Sequence, residues 1–419
     1  FKHAKKNTIP IWSKLAEIVV SYPLSFFLTI LVCLVLIGLP FLHVKFGISD
    51  FRILPKQSES RTFFDNYQQK FNSKELTPIL LIVKATNGRI LSKHHLSQVY
   101  DLAQKIVKNP LVAKVDSIVT TKPLLTKAQY YALYHNTLSN DIAIHTLLKT
   151  TTGHNFTVLT IVSNYASRSL KTRALITQLR QLNPGIGLTL TLTGTPVNDA
   201  EVLQSIAHVF PYAVLWIMVL TYLVLLVLLR SLILPFKAIL MNILSLCASY
   251  GVLVYIFQEG HLHTLLNFDP QGVLDISLLI IIFCALFGFS MDYEVFLLTR
   301  IKEFYQQGYN NDQSIIFGIQ KSSRIITSAA IIVIFICGSF MVADVLMVKE
   351  FGLGIAVAIF VDAFLIRSIL VPSTMALIRK WNWYLPNWLD NILPNDTSCH
   401  NLDISHNNVD KNFSSKSIG

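Results

Sequence analysis

Three ionisable residues, Asp292, Asp362 and Arg367, stand well inside long apolar runs of this sequence. A charged side chain at the centre of a membrane helix adds roughly 2.5–3.5 kcal/mol to insertion, and such residues are functional by default. Asp292 lies in Gly288-Phe289-Ser290-Met291-Asp292-Tyr293-Glu294. A carboxylate desolvated in a membrane binds its proton more tightly than in water, so it can take a proton from one side and release it to the other. The chemistry this implies is a proton relay. Tyr293 can share a hydrogen bond with such a carboxylate, and Arg367 can stabilise its charged form. Static pairing between helices is the alternative, and it weighs most for Asp362 and Arg367. At about 100° per residue these two diverge by about 140° around a regular helix, so they are expected to reach different neighbours. Glu294, about 200° from Asp292 and nearer the interface, reads as a solvated or interfacial group. Asp275, Asp344 and Glu350 fall at span ends, where charges are ordinary.

Other motifs carry less. Gly352-Leu353-Gly354 resembles the opening of a dinucleotide fingerprint, but no strand precedes it and it lies in an apolar span. With Ala356 and Ala358 it gives the small-xxx-small spacing of helix packing. An intramembrane aspartyl protease would resemble a GxGD motif, whereas here the spacing is Gly288-x-x-x-Asp292. His94-His95 and His261-x-His263 have no nearby Cys or carboxylate cluster, so no metal and no cofactor is expected. Asn155-Phe156-Thr157 fits a glycosylation sequon at the start of a strand, where it carries no further reading. Cys33, Cys247, Cys284 and Cys337 fall in apolar spans and Cys399 in the tail, which excludes disulfides and a Cys-based zinc site between residues 44 and 206.

The elements that must position these residues follow from composition. The 419 residues are 52% hydrophobic and only 14% charged, against about 25% charged in soluble domains. The apolar surplus must face lipid, and disorder, a collagen-like fibre and a disulfide-stapled module are excluded. Six stretches reach the roughly 20 residues needed to span a bilayer. They run about Leu24–His43, Ala207–Leu229, Leu234–Phe257, Asp275–Thr299, Ile325–Val345 and Glu350–Met375. The first is too long for a signal peptide's apolar region and lacks a small-x-small cleavage site, so it reads as a true span. Net charge is +11, and its short-loop part is a topology signal. Lys2, Lys5, Lys6 and Lys14, then Arg230 and Lys237, then Arg300, Lys302, Lys321 and Arg324, and finally Arg379 and Lys380 mark one side. The loop 258–274 has none and the fifth-to-sixth turn only Lys349. Both termini are therefore expected in the cytoplasm, with residues 44–206 outside. A basic face suited to nucleic acid is absent from the cytoplasmic segments, so no nucleic-acid partner is expected.

Residues 44–206 read as two strand–helix–strand units. The first is Pro78–Ala85, Ser92–Lys108 and Val112–Val119; the second is Phe156–Ser163, Ser167–Leu182 and Gly187–Thr193. That βαββαβ order is the split-βαβ arrangement, with Thr121–Thr150 a helical insertion. Ser13–Val20 and Lys302–Lys321 are expected as interfacial helices, and the Asn- and Ser-rich tail after Trp388 as disordered. The domains are then 1–23, 24–43, 44–206, 207–375 and 376–419.

The runs GFSMDYEVFLLTRIKEFY, SSRIITSAA, KEFGLGIAVAIFVDAFLIRSILVPSTM and WNWYLPNWL, between Gly288 and Leu389, resemble the MMPL (mycobacterial membrane protein large) family of the resistance–nodulation–division superfamily. The likeness extends more loosely to the span after Pro23 and to Ile53-Leu54-Pro55 with Ser58 and Asp65. One span, a large external domain and five more spans resemble the C-terminal half of such a transporter. The resemblance implies a polytopic α-helical membrane protein, a six-span half bundle with an external porter-like α+β domain. It implies proton-motive-force-driven export of lipids or other hydrophobic or amphiphilic molecules across a bacterial inner membrane, and not an enzyme. Its relay maps onto Asp292 and Tyr293, and its sixth-span pair onto Asp362 and Arg367. The family has twelve spans in two halves, whereas six are read here. The chain is therefore expected to be a fragment, or to pair with another copy or a separate first half through the face carrying Phe289, Asp292 and Phe296. A non-transporting scaffold or inactive remnant is the competing expectation.

Overall fold

The structure, a computed structural model, describes residues 11–71, 73–122, 124–135, 142–391 and 393. The chain enters through α1 (Ile11–Ser21), the helix expected ahead of the first span, and then α2 (Pro23–Gly38). Proline at the first position of α2 suits a site whose N–H has no helical acceptor. A 3-10 turn over Leu39–His43 prolongs α2, and β1 (Phe46–Gly47) and α3 (Glu59–Lys70) follow.

The sheet domain comprises β2 (Ile79–Ala85), α4 (Lys93–Val107), β3 (Val112–Asp116), α5 (Lys127–His135), α6 (Ile142–Thr151), β4 (Phe156–Ser163), α7 (Leu170–Arg180) and β5 (Leu188–Thr193). Its strands lie in the order β3-β4-β2-β5 with every pairing antiparallel, the split-βαβ order that the sequence pattern predicts. Alternation sets the core face: Ile79, Leu81, Val83 and Ala85 of β2 are buried, as are Leu159 and Ile161 of β4. Helices α4 and α7 cover that face with Leu96, Val99 and Leu102 and with Leu175 and Leu179, at helical spacing. Ser92 and Ser169 cap the two helices, accepting hydrogen bonds from the N–H groups of His95 and Thr172. Helices α5 and α6 occupy the expected insertion.

Six helical segments among the described residues are long and apolar enough to cross a membrane. After α2 they are α8 (Thr195–Leu229), α9 (Ile233–Leu253, prolonged by a π turn to Gln258), α11 (Ile276–Gln306), α12 (Asn311–Ser339) and α13 (Leu346–Phe360). Between α9 and α11 lie α10 (His263–Leu266) and β6 (Leu274–Asp275). Helix α13 runs on as a π-helix over Val361–Leu370 into α14 (Val371–Ile378). Buried residues make up 61% and 72% of the apolar windows of α9 and α13–α14, against 6% in α2 and 17% in α8 and α12. Helices α9 and α13–α14 therefore centre the bundle, and the others present apolar faces outward.

Two expectations need correction here. Helix α8 begins at Thr195, so the last turn out of the sheet domain and the second span form one rod of 35 residues. The interfacial helix expected over Lys302–Lys321 does not exist as a separate element. Helix α11 continues to Gln306, and Asn310 caps α12 by accepting from Gln313 N–H at 2.8 Å. Backbone hydrogen bonding does not stop where hydrocarbon ends, so both helices outrun their apolar windows. The glycine reading of the sixth span holds. A Cβ on Gly352 would lie 2.5 Å from the Cys337 carbonyl oxygen, and one on Gly354 would lie 2.7 Å from Ile282 Cδ1. The Trp-rich stretch folds back as a turn over Arg379–Trp383, with Trp383 stacked on Tyr305 at 4.4 Å. The tail expected to be disordered lies, from residue 394, outside the described residues.

Candidate functional site

The π-helix builds the centre of the site. In i→i+5 turns residues five apart share a face, so Arg367 turns back onto Asp362 and the two form an ion pair. This corrects the expectation that they diverge, which assumed regular α-helical turning throughout the sixth span. Both are buried, at 4% and 3% exposure. The Arg367 guanidinium also donates to the Ser290 carbonyl and, at 3.1 Å, to Ser290 Oγ, bridging the sixth span to α11. Ser290 Oγ donates in turn to Asn242 Oδ1 on α9, and Asn242 Nδ2 points to Met291 Sδ at 3.1 Å. The guanidinium carbon stands 5.0 Å from the centroid of the Tyr293 ring, within cation–π range. Three central helices thus converge on one arginine.

Asp292 and Tyr293 part company at this site. Tyr293 is half-buried against Arg367, whereas Asp292 is exposed on the outer face of α11 beside Phe289, which is 42% exposed. Glu294 is the buried carboxylate, at 3% exposure, so it is not the solvated or interfacial group expected. Glu294 stands about 200° around α11 from Asp292, on the face that turns inward. Lys237 is likewise no loop cation. It sits inside α9 at 6% exposure, within electrostatic reach of Glu294. Sequence reading missed Lys237, Asn242 and Ser290 as site members. The available signal was the polar set Lys237, Asn242, Ser245 and Ser249 in an otherwise apolar helix, all of it buried.

At the other end of α11, charges expected to be ordinary are structural. Asp275 is buried, caps α11 through Ser277 N–H at 2.9 Å and accepts from Ser49 N–H at 2.8 Å. Residues 46–47 and 274–275 pair as parallel strands β1 and β6. Glu350 is buried too, and Lys349 donates to the carbonyls of Leu266 and Asn267, while Asp344 is exposed as expected. The segment entering the sheet domain is therefore fastened to the helix that carries Tyr293 and Glu294. Arg61 adds a second tie, reaching Asp65 at 2.8 Å and Asp269 at 3.0 Å.

An arginine shared between a carboxylate and a carbonyl is a proton-sensitive joint. Protonation of Asp362 would remove the charge that holds Arg367 to the sixth span and leave the arginine's hydrogen bonds to α11 in place.

A model of the MMPL family matches residues 52–391 of this chain. The chain is 26% identical over 383 residues to the probable trehalose monomycolate exporter MmpL3 of Mycobacterium leprae, covering 90% of the chain and 37% of that protein. It is 26% identical over 370 residues to the membrane protein YdfJ of Bacillus subtilis, covering 88% and 46% respectively. Over 240 residues it is 37% identical to the mycolic acid-containing lipids exporter MmpL11 of Mycolicibacterium smegmatis, covering 57% and 25%. The chain spans less than half the length of each of these curated relatives.

Proposed function

This chain belongs to the MMPL family, and from that membership we propose that it works as one six-span half of a proton-driven exporter of hydrophobic or amphiphilic molecules. The observation that carries the reading is the buried Asp362–Arg367 pair, joined through Ser290 and Tyr293 to the helix that bears Asp292. Two of the relatives carry lipid export in their names, which supports a lipid or another amphiphile as cargo. Asp292, Tyr293 and Asp362 carry the protons, and Arg367 stays cationic and holds the charged form of Asp362. Residues 44–206 form the external porter domain that receives cargo, and both termini lie in the cytoplasm. The other half is a second copy or a separate six-span partner, meeting this one at the exposed face around Asp292.

The test is reconstitution of the chain, alone and with its partner half, in liposomes carrying an internal pH dye and a fluorescent phospholipid. An imposed pH gradient should drive proton entry and move the lipid, and Asp292→Asn should abolish both. Gradient-driven movement that Asp292→Asn leaves unchanged would overturn the proposal, and no movement with either partner arrangement would favour a scaffold.

A further inference from the structure

Buried polar atoms in folded proteins are almost always hydrogen-bonded. Five atoms of the bundle centre are buried without a partner among the described residues: Lys237 Nζ, Ser245 Oγ, Glu294 Oε1, and Nε and Nη1 of Arg367. The Lys237 and Glu294 atoms lie on one side of the Asp362–Arg367 pair, and Ser245 lies on the other. The Asn242–Ser290 hydrogen bond sets α9 and α11 in register. From that level Lys237 is five residues toward the start of α9, and Glu294 is four residues toward the end of the oppositely directed α11. At 1.5 Å per residue they lie about 7.5 and 6 Å from the Asp362–Arg367 level, on the same side. Lys237 and Glu294 feel each other's charge yet form no direct ion pair among the described residues. A polar gap of this kind is where water bridges buried groups. A cavity of about 20 Å³, large enough for one water, opens on the α12 side of the same arginine, lined by Ser323, Thr327 and Ser368 and equally by apolar Leu297, Ile319, Ile326 and Ala363.

We infer that Glu294 and Lys237 form the last step of the proton path toward the start of α9, Glu294 as proton carrier and Lys237 as the positioning cation. This rests on the proton-driven reading above. In the step, Asp362 loses one proton to a bridging water, and that water passes one of its own to the Glu294 carboxylate. Glu294 then gives the proton to bulk water at the start of α9, the cytoplasmic side in the proposed orientation. Lys237 and Arg367 stay cationic throughout. The four groups are neutral when both carboxylates are ionised and carry one positive charge while a proton is in transit. Other charges do not face the Glu294–Lys237 gap: Asp292 is exposed on the outer face, as are Lys321 and Arg324 of α12 and Lys14 and Glu17 of α1. Tyr293 faces Arg367 rather than solvent.

The experiment measures gradient-driven proton entry in the liposomes described above for Lys237→Met, Lys237→Arg, Glu294→Gln and Asp362→Asn, each checked for folding by its thermal melt. Glu294→Gln and Lys237→Met should slow proton entry by roughly tenfold or more, with Lys237→Arg restoring most of it and the slowed step showing a solvent deuterium effect. Folded Glu294→Gln or Lys237→Met with unchanged flux, beside an inactive Asp362→Asn, would overturn this inference and leave the transport reading standing. Loss in Lys237→Met that Lys237→Arg does not restore would also overturn the assignment of Lys237 as a positioning cation. If Asp362→Asn itself retains full flux, the proton-driven reading falls first. If Lys237→Met does not fold, the Glu294→Gln and Lys237→Arg rates decide.

Discussion

A buried arginine holding one carboxylate costs the fold more when left alone than it returns when paired. Breaking a buried ion pair from one side typically destabilises by about 3–5 kcal/mol, whereas removing both charges is often neutral. Arg367→Met should therefore lower the denaturation midpoint sharply by stranding Asp362, and Asp362→Asn with Arg367→Met should recover most of the loss. Denaturant titration of the four proteins of that cycle measures it; independent, additive losses would refute the pairing. Residue type alone made Asp292, Tyr293, Asp362 and Arg367 legible as candidates, because charge in an apolar run is expensive wherever it points. Direction was not legible. Periodicity fixes the angle between Asp292 and Glu294 but not which of them faces the core, and the structure buries Glu294. Lys237 looks like a loop charge because it lies only one turn inside α9, although the same helix carries buried Asn242, Ser245 and Ser249.

Elements were legible where one pattern repeats and hidden where the pattern changes within a helix. The strands of the sheet domain and their helices follow from alternation and capping, and Phe156–Ser163 agrees to the residue. The π-helix over Val361–Leu370 has no comparable mark, since its apolar residues suit either winding, and it is what brings Arg367 to Asp362. Deleting Leu365 should let this stretch rewind with i→i+4 turns and leave Asp362 and Arg367 four apart, about 40° around an α-helix, so that the ion pair survives the loss of the π winding. The expected result is membrane insertion with proton entry retained; loss of flux in the folded, shortened protein would show that the π winding itself is needed. Packing between spans gives another test. A Cβ on Gly251 would stand 2.1 Å from the Ile37 carbonyl oxygen, a backbone atom that cannot rotate away. Gly251→Ala should force α2 from α9 at a cost of about 1–3 kcal/mol, read as a lower melting temperature in detergent.

At the scale of the molecule, the sheet domain and the charged centre are joined by α11, because its first turn holds Ser49 through Asp275 and its middle carries Ser290 to Glu294. The second tie, Asp269 with Arg61 and Lys56, is pH-dependent. Burial of Asp269 opposes its ionisation, but the hydrogen bonds and charges of Lys56 and Arg61 outweigh it and hold the carboxyl below its usual 3.8. A lowered carboxylate stabilises above the unfolded value and loses that contribution as pH falls through the folded one. Hydrogen-exchange protection in residues 267–272, taken relative to the intrinsic rate at each pH, should thus stay constant down to about pH 4 and fall only in more acidic buffer. The last prediction concerns the outer face. Most exposed apolar side chains of the spans need nothing but lipid, as Phe335 on α12 and Trp216 on α8 do at 75% and 73% exposure. Asp292 is different, since an exposed carboxylate deep in a span is stable in lipid only if protonated or covered by protein. Covering it requires a partner helix against Phe289, Asp292 and Phe296. In a background without native cysteines, Phe289→Cys and Phe296→Cys should therefore cross-link to a second copy or to the partner half, while Phe335→Cys and Trp216→Cys stay monomeric. Equal cross-linking at all four positions would mean random collision in the membrane, and none at Phe289 or Phe296 would leave Asp292 facing lipid and overturn the paired arrangement.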